Sequence, residues 1–234
     1  MRFSTPLLPA VLIRRYKRFL ADIRFTDGTE ATAHIANPGA MTGLAEPGTH
    51  IWVERNDDPK RKLRYSWQLV DHRTGHFTCV DTSLANRVVA EALAAGRIPE
   101  MSGYDVHRPE VRYGERSRVD FLLAGKGRRD CYLEVKSVTL SRLAGLAQFP
   151  DAVTARGARH LHDLAHEVNE GHRAVMLFLV MRTDITHTGI ALDIDPAYGR
   201  AFDDAMRAGV EAIAYNCAID PGRIAFGQKV ALQV

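Results

Sequence analysis

The second half of the chain is decided by one stretch. It runs Ser117-Arg-Val-Asp120-Phe-Leu-Leu-Ala124, then Gly125-Lys-Gly127-Arg-Arg-Asp130, then Cys131-Tyr-Leu-Glu134-Val-Lys136-Ser-Val138. Two apolar runs of strand length flank a turn rich in glycine and charge, which predicts a β-hairpin. Centring that hairpin on Gly127 pairs Leu123 with Cys131, Leu122 with Tyr132 and Phe121 with Leu133, and sets Asp120 opposite Glu134. Opposed residues of an antiparallel pair have Cβ atoms roughly 4.5–5.5 Å apart, and like charges there repel. Two carboxylates on one rung call for a cation. Oxygen ligands suit Mg²⁺ (or Mn²⁺), which completes its shell with water and substrate phosphate. Lys136 lies two residues beyond Glu134 and shares its face. Beside a metal-bound water, a lysine can position or deprotonate it, or stabilise charge developing on phosphorus. Asp120, Glu134 and Lys136 therefore have the parts for metal-assisted phosphodiester hydrolysis. The bland alternative is a solvated Glu134–Lys136 ion pair, and a slip of one residue would turn Asp120 to the other face.

Working outward, residues 83–234 read as an α/β domain. Ser83 is the expected N-cap of a helix over 84–95 closed by Gly96. Strands are expected over 105–113, 118–123 and 131–138. A helix over 152–170 follows, then a buried strand over 174–181 and a short strand over 190–194. A helix over 196–208 begins on proline and ends at Gly209, before a last long strand over 211–219. Residues 1–82 read as all-β instead. Strand candidates cover 11–23, 29–35, 50–54, 65–71 and 77–80, separated by turn signals such as Asp27-Gly28, Asn37-Pro38-Gly39 and Pro47-Gly48. Short strands so punctuated fit a small barrel or sandwich, with an oligonucleotide-binding (OB) barrel as one candidate.

The basic excess belongs to this first part. It carries 12 Lys+Arg against 9 Asp+Glu, whereas the remainder carries 19 of each. Arg14, Arg15, Lys17 and Arg18 surround Tyr16 and precede Phe19, a mixture that suits phosphates and stacked bases; a charge-protected edge strand is the structural alternative. Lys60, Arg61 and Lys62 lie in a turn-rich loop and are either backbone contacts or solvated. Thr154 and Arg156 open the helix after the hairpin, where an anion is favoured. His162 and His166 have ligand spacing but lack a third partner and read as a surface pair. Three scattered cysteines and a proline-containing N-terminus without a long apolar run point to a cytoplasmic protein with no membrane span. No Walker A, GxGxxG or GxSxG pattern is present, so P-loop, Rossmann and serine-hydrolase chemistry lack support.

Five segments together carry a resemblance. They are Leu12 to Asp22, Asn37-Pro-Gly-Ala-Met-Thr-Gly43, Ser117-Arg-Val-Asp-Phe121, Cys131 to Val138, and Phe149-Pro-Asp-Ala-Val-Thr-Ala-Arg156 on to Leu161. Over essentially its whole length the chain resembles the sugar fermentation stimulation protein family. The resemblance implies an N-terminal OB-like β-barrel and a C-terminal PD-(D/E)xK restriction-nuclease-like α/β domain. It also implies DNA binding, with a homodimer left open. The nuclease-like motif maps onto Asp120, Glu134 and Lys136, with Val119 where the pattern has proline. Glu91, on the first helix, is the candidate for the upstream acid that often completes such metal sites; an exposed helix glutamate is its alternative. The family name implies a rival function, a non-catalytic DNA-binding regulator of sugar (maltose-type) metabolism.

Overall fold

The computed structural model describes residues 1–114 and 117–233. Its N-terminal strands are β1 (Leu7–Tyr16), β2 (Leu20–Phe25), β3 (Glu30–His34), β4 (His50–Arg55), β5 (Tyr65–Asp71) and β6 (Phe77–Cys79). They order as β3-β2-β1-β4-β5-β6, and β5 returns to β3 through the parallel pairs Ala33–Tyr65 and His34–Ser66. Five strands thus close into an OB barrel with β6 appended. Alternate residues point inward, and Leu12, Ile23, Ile51, Val53 and Trp67 fill the interior with almost no exposure.

The extended segment expected over 11–23 is in fact a hairpin. Lys17 and Arg18 adopt φ of 47° and 66°, and the Phe19 amide donates to the Lys17 carbonyl at 2.7 Å. No glycine, asparagine or aspartate signals this turn. Two bulky residues take left-handed conformations because barrel closure, through the pairs Tyr16–Leu20 and Leu20–His34, imposes them.

The second unit begins with α1 (Leu84–Ala94). Ser83 does not cap this helix with its side chain; its amide and hydroxyl donate to Asp81 instead. Next come β7 (Val106–Tyr113), β8 (Ser117–Ala124), β9 (Cys131–Val138), β10 (Leu140–Leu143), β11 (Gly145–Phe149), α2 (Ala155–Asn169) and β12 (Arg173–Val180). The remainder is β13 (Ile185–Ile190), α3 (Pro196–Ala208), β14 (Glu211–Asp220), β15 (Arg223–Lys229) and β16 (Ala231–Gln233). A mixed sheet runs β15-β14-β12-β9-β8-β7. Helix α1 packs in the core cluster on one face of it, and α2 and α3 in the cluster on the other. Strand β12 lies between two parallel neighbours and is buried on both faces, which its unbroken apolar run requires. A smaller sheet, β10-β11-β13-β16, flanks it.

The strand expected over 190–194 lies at Ile185–Ile190; residues beyond it turn toward α3, where Asp195 accepts from the Tyr198 amide at 2.9 Å. Strands β10, β11, β15 and β16 carry no clear alternation, and their pairing is decided by the sheet that receives them.

The two units share a seam. The Cys79 amide donates to the Met181 carbonyl (2.8 Å) and the Thr183 amide to the Phe77 carbonyl (3.1 Å). Leu7, Leu69 and Cys79 belong to the same core cluster as α1. A second contact joins the barrel to the approach to α2. The Arg15 guanidinium donates to the carbonyls of Asn37, Gly39 and Ala40 at 2.9–3.1 Å. The loop so gathered sits on Asp151, whose carboxylate accepts from the Met41 amide at 3.3 Å. A Cβ on Gly39 would lie 2.1 Å from Asp151 Oδ2, so only glycine permits that approach. Among the described residues no helix is long and apolar enough to cross a membrane.

Candidate metal centre and nucleic-acid surface

The β8–β9 hairpin has the register read from the sequence: Leu123 pairs with Cys131, Leu122 with Tyr132 and Phe121 with Leu133. The ladder then opens, and Asp120 is not a ladder partner of Glu134. Strand β8 stays with β7 along its length, while β9 continues beside β12 as far as Val138. Asp120 bridges the split. Its Oδ2 accepts from the Val135 amide at 2.7 Å, taking an N–H that the opened ladder would leave unpaired. The alternation of β8 also slips here: Phe121 joins the α1-side core and Val119 the opposite one.

The two acids remain electrostatic neighbours. Burial, and then the Glu134 charge, push the Asp120 carboxyl up to about 6. Burial also pushes Glu134 up, but hydrogen bonds from His160 and Lys136 and the Lys136 charge outweigh it, so Glu134 lies below the usual glutamate value. The Lys136 ammonium donates to Glu134 Oε1 at 2.7 Å. His160, only 3% exposed, meets the same oxygen through Nδ1. Arg156 Nε donates to His160 Nε2 at 3.2 Å, which leaves the ring proton on Nδ1, facing Glu134. Glu134 Oε1 is therefore saturated, while the buried Oε2 has no partner. The hydroxyls of Tyr113 and Tyr198 are also buried without partners, and the Glu134 charge acts on both.

Asp120, Glu134 and Lys136 thus come together, and Arg156 joins them through His160. Glu91 does not. It is mostly exposed and pairs with the Met1 ammonium at 2.7 Å. The α1 residue that reaches the site is Asn86, whose amide donates to Asp120 Oδ1 at 2.7 Å. Asn86 and Glu91 are five positions apart on α1, roughly 140° around the axis, so the two lie on opposite edges of the buried stripe. Thr154 is occupied in local structure: its hydroxyl accepts from the Gly157 amide and its own amide donates to Asp195.

No sequence signal singled out Asn86, and none set His160 against Glu134; only the docking of α2 over β9 turns that histidine inward. Among the described residues, no group of three or more His, Cys, Asp or Glu side chains is arranged to hold a metal. The centre offers two carboxylates, one with a free buried oxygen. That donor set fits a hard divalent cation that draws its other ligands from water or substrate. All three cysteines are free and buried; burial pushes the Cys131 and Cys217 thiols up to about 12, so they are not reactive centres.

On the barrel, the basic segment divides. Arg14 is tied to Asp22 at 2.8 Å and lies over the Tyr16 ring, whose hydroxyl also donates to Asp22. Arg15 is spent on the loop carbonyls. Lys17 and Arg18 form the exposed turn, and Lys60, Arg61 and Lys62 lie exposed in the loop between β4 and β5.

An OB barrel joined to a C-terminal α/β domain is the class that this fold defines. Residues 13–80 match the description SfsA N-terminal OB domain, and residues 83–223 match Sugar fermentation stimulation protein RE domain. The chain belongs to the sugar fermentation stimulation protein family. A Ruegeria pomeroyi homologue is 60% identical over 94% of this chain and 96% of its own, and a Roseobacter denitrificans homologue 57% over the full length of both. The solved structure of Pyrococcus furiosus SfsA in complex with Ca²⁺ superposes with a TM-score of 0.90 at 27% identity, covering 100% of this chain and 98% of that one.

Proposed function

We propose that this protein binds DNA and hydrolyses its phosphodiester bonds at a divalent-metal centre held by Asp120 and Glu134, with Lys136 assisting. The observation that carries the reading is the buried carboxylate pair, in which Glu134 keeps one oxygen unpartnered while Lys136 holds the other. The Ca²⁺ complex of the Pyrococcus relative supports a divalent cation; Mg²⁺ and Ca²⁺ are both hard, oxygen-seeking ions.

Asp120 and Glu134 would hold Mg²⁺ or Mn²⁺, which when bound polarises the scissile phosphate and lowers the pKa of a water. Lys136, three donors on one ammonium, orients the attacking water or donates to a phosphate oxygen while anchored on Glu134 Oε1. Asn86 and the Val135 amide hold Asp120 still. Arg156 fixes the His160 tautomer, and His160 fixes Glu134 so that Oε2 stays available. Supporting groups of this kind typically carry about 10–100-fold in metal affinity. Calorimetric titration with Mn²⁺ should therefore show such a loss in His160→Ala. Affinity should recover in His160→Asn, whose amide N–H can replace that of Nδ1. Equal losses in both variants would remove His160 from this role.

The reading itself is tested by incubating purified protein with single- and double-stranded DNA in Mg²⁺, Mn²⁺ or EDTA. Cleavage is expected with metal only, and is expected to vanish in Glu134→Gln and Lys136→Ala while DNA binding persists. DNA binding with no cleavage under any metal would leave a non-catalytic DNA-binding regulator as the function.

A further inference from the structure

We infer that Phe19 and His34 form a stacking platform for an unpaired nucleobase, so that the barrel takes single-stranded DNA. The inference rests on the DNA-binding reading above and adds the strand form and the contact.

Phe19 is 42% exposed, an unusual state for a large apolar side chain on this surface, and it is not among the residues packed against the barrel core. Its ring lies nearly parallel to that of exposed His34, at 15° with centroids 6.4 Å apart. Two adjacent, nearly parallel rings on exposed residues offer π-faces that a base can stack on, and stacking tolerates any base because each has a π-face.

The surroundings carry the matching charge. Lys17 and Arg18 complete the turn that presents Phe19. The turn is held rigid: Arg15 Nε donates to the Arg18 carbonyl at 3.1 Å and the Ile35 amide to the Phe19 carbonyl at 3.0 Å. A preorganised aromatic loses little entropy on binding. Strand β3, which ends in His34, has β2 on one side and the start of β5 on the other. The loop bearing Lys60, Arg61, Lys62 and Arg64 leads directly into β5, so both basic loops adjoin β3. In OB barrels, the face of the second and third strands and these two loops are the oligonucleotide surface. Arg14 and Tyr16 contribute nothing free, because Asp22 engages both.

Arg15 adds a mechanical link. The guanidinium that locks the Phe19 turn also gathers the loop seated on Asp151, ahead of α2. The platform and the helix bearing His160 are thereby fixed relative to each other.

The test measures binding of the full chain in EDTA, where no cleavage intervenes, to fluorescein-labelled oligo(dT) of 20 nucleotides and to a duplex of equal length. Losing one stacked base costs about 1–3 kcal/mol. Phe19→Ala should therefore weaken oligo(dT) binding roughly 5- to 150-fold, with the melting temperature unchanged, while Phe19→Trp keeps the affinity. The duplex should lose much less. Lys17→Ala/Arg18→Ala should weaken both DNAs and flatten the salt dependence. Oligo(dT) binding equal to wild type in Phe19→Ala overturns the platform, as does an equal loss for both DNAs. A wild-type protein that binds neither DNA overturns the DNA-binding reading itself, and the platform with it.

Discussion

Asp120→Asn should melt at a higher temperature than the wild type in EDTA at pH 7.5, and should lose the stabilisation that divalent cations confer. The reason is the unfavourable placement of the wild-type charge. Burial and the neighbouring Glu134 raise the folded-state value of Asp120 to about 6, from 3.8. The folded protein therefore holds a proton that the unfolded chain releases between those limits. Stability of the metal-free protein falls as pH rises through that window and stays lower above it, by about 3 kcal/mol. A cation between the carboxylates removes the penalty, and asparagine removes it permanently.

The substitution is sterically simple. Asparagine can still accept from the Val135 amide, and Asn86 can flip its own amide to accept where it now donates to Oδ1. Differential scanning fluorimetry from pH 5 to 8, with and without Ca²⁺, Mg²⁺ or Mn²⁺, reads the effect. The wild type should gain several degrees on adding metal at pH 7.5 and should melt higher at pH 5 than at pH 7.5 without it. Asp120→Asn should show neither dependence. An Asp120→Asn protein that still responds to metal as wild type does would refute the ligand assignment.

Asp184→Ala should lower stability by about 3 kcal/mol, the scale for leaving a buried charge unpaired, and by on the order of 10 °C in melting temperature. Arg182 is only 6% exposed, and Asp184 holds it by a two-pronged contact at 3.0 and 2.7 Å. Its Nη1 donates to the Thr139 carbonyl at 2.9 Å. Arg182 also bridges Thr78 of β6 through the backbone, so the damage falls on the seam between the barrel and the α/β domain. Asp184→Asn keeps one acceptor and should cost less. Thermal melts supply the comparison, with limited proteolysis between residues 72 and 83 reporting whether the seam opens first. A loss below 1 kcal/mol in Asp184→Ala would mean that water reaches the guanidinium.

Some of the centre was legible because its information is local. Glycine at 127 and apolar runs of matched length set the hairpin register, and alternation then put Glu134 and Lys136 together. Opposition of Asp120 and Glu134 was an extrapolation of that ladder. It gave way because β8 and β9 follow different neighbours beyond Phe121. Glu91 was an acid on the correct helix, but the orientation of α1 depends on how Leu84, Val88 and Leu93 pack on the sheet, and that packing offers Asn86 to Asp120. The turn at Lys17 and Arg18 carried no turn residue and is imposed by barrel closure.

By itself, then, the sequence determined the all-β first part and the α/β second part, the doubly buried strand over Arg173–Val180, the hairpin, and the shared face of Glu134 and Lys136. Each follows from periodicity and turn chemistry within a few residues. Tertiary structure alone decided that Asp120 bridges a split in the sheet, and that His160 and Arg156 come down from α2 onto one oxygen of Glu134, leaving the other free. It alone decided that Phe19 stands exposed beside His34 while Arg14, Arg15 and Tyr16 are engaged elsewhere. Those outcomes depend on contacts between segments far apart in the chain, where packing of one element on another, and not local preference, sets which way a side chain faces.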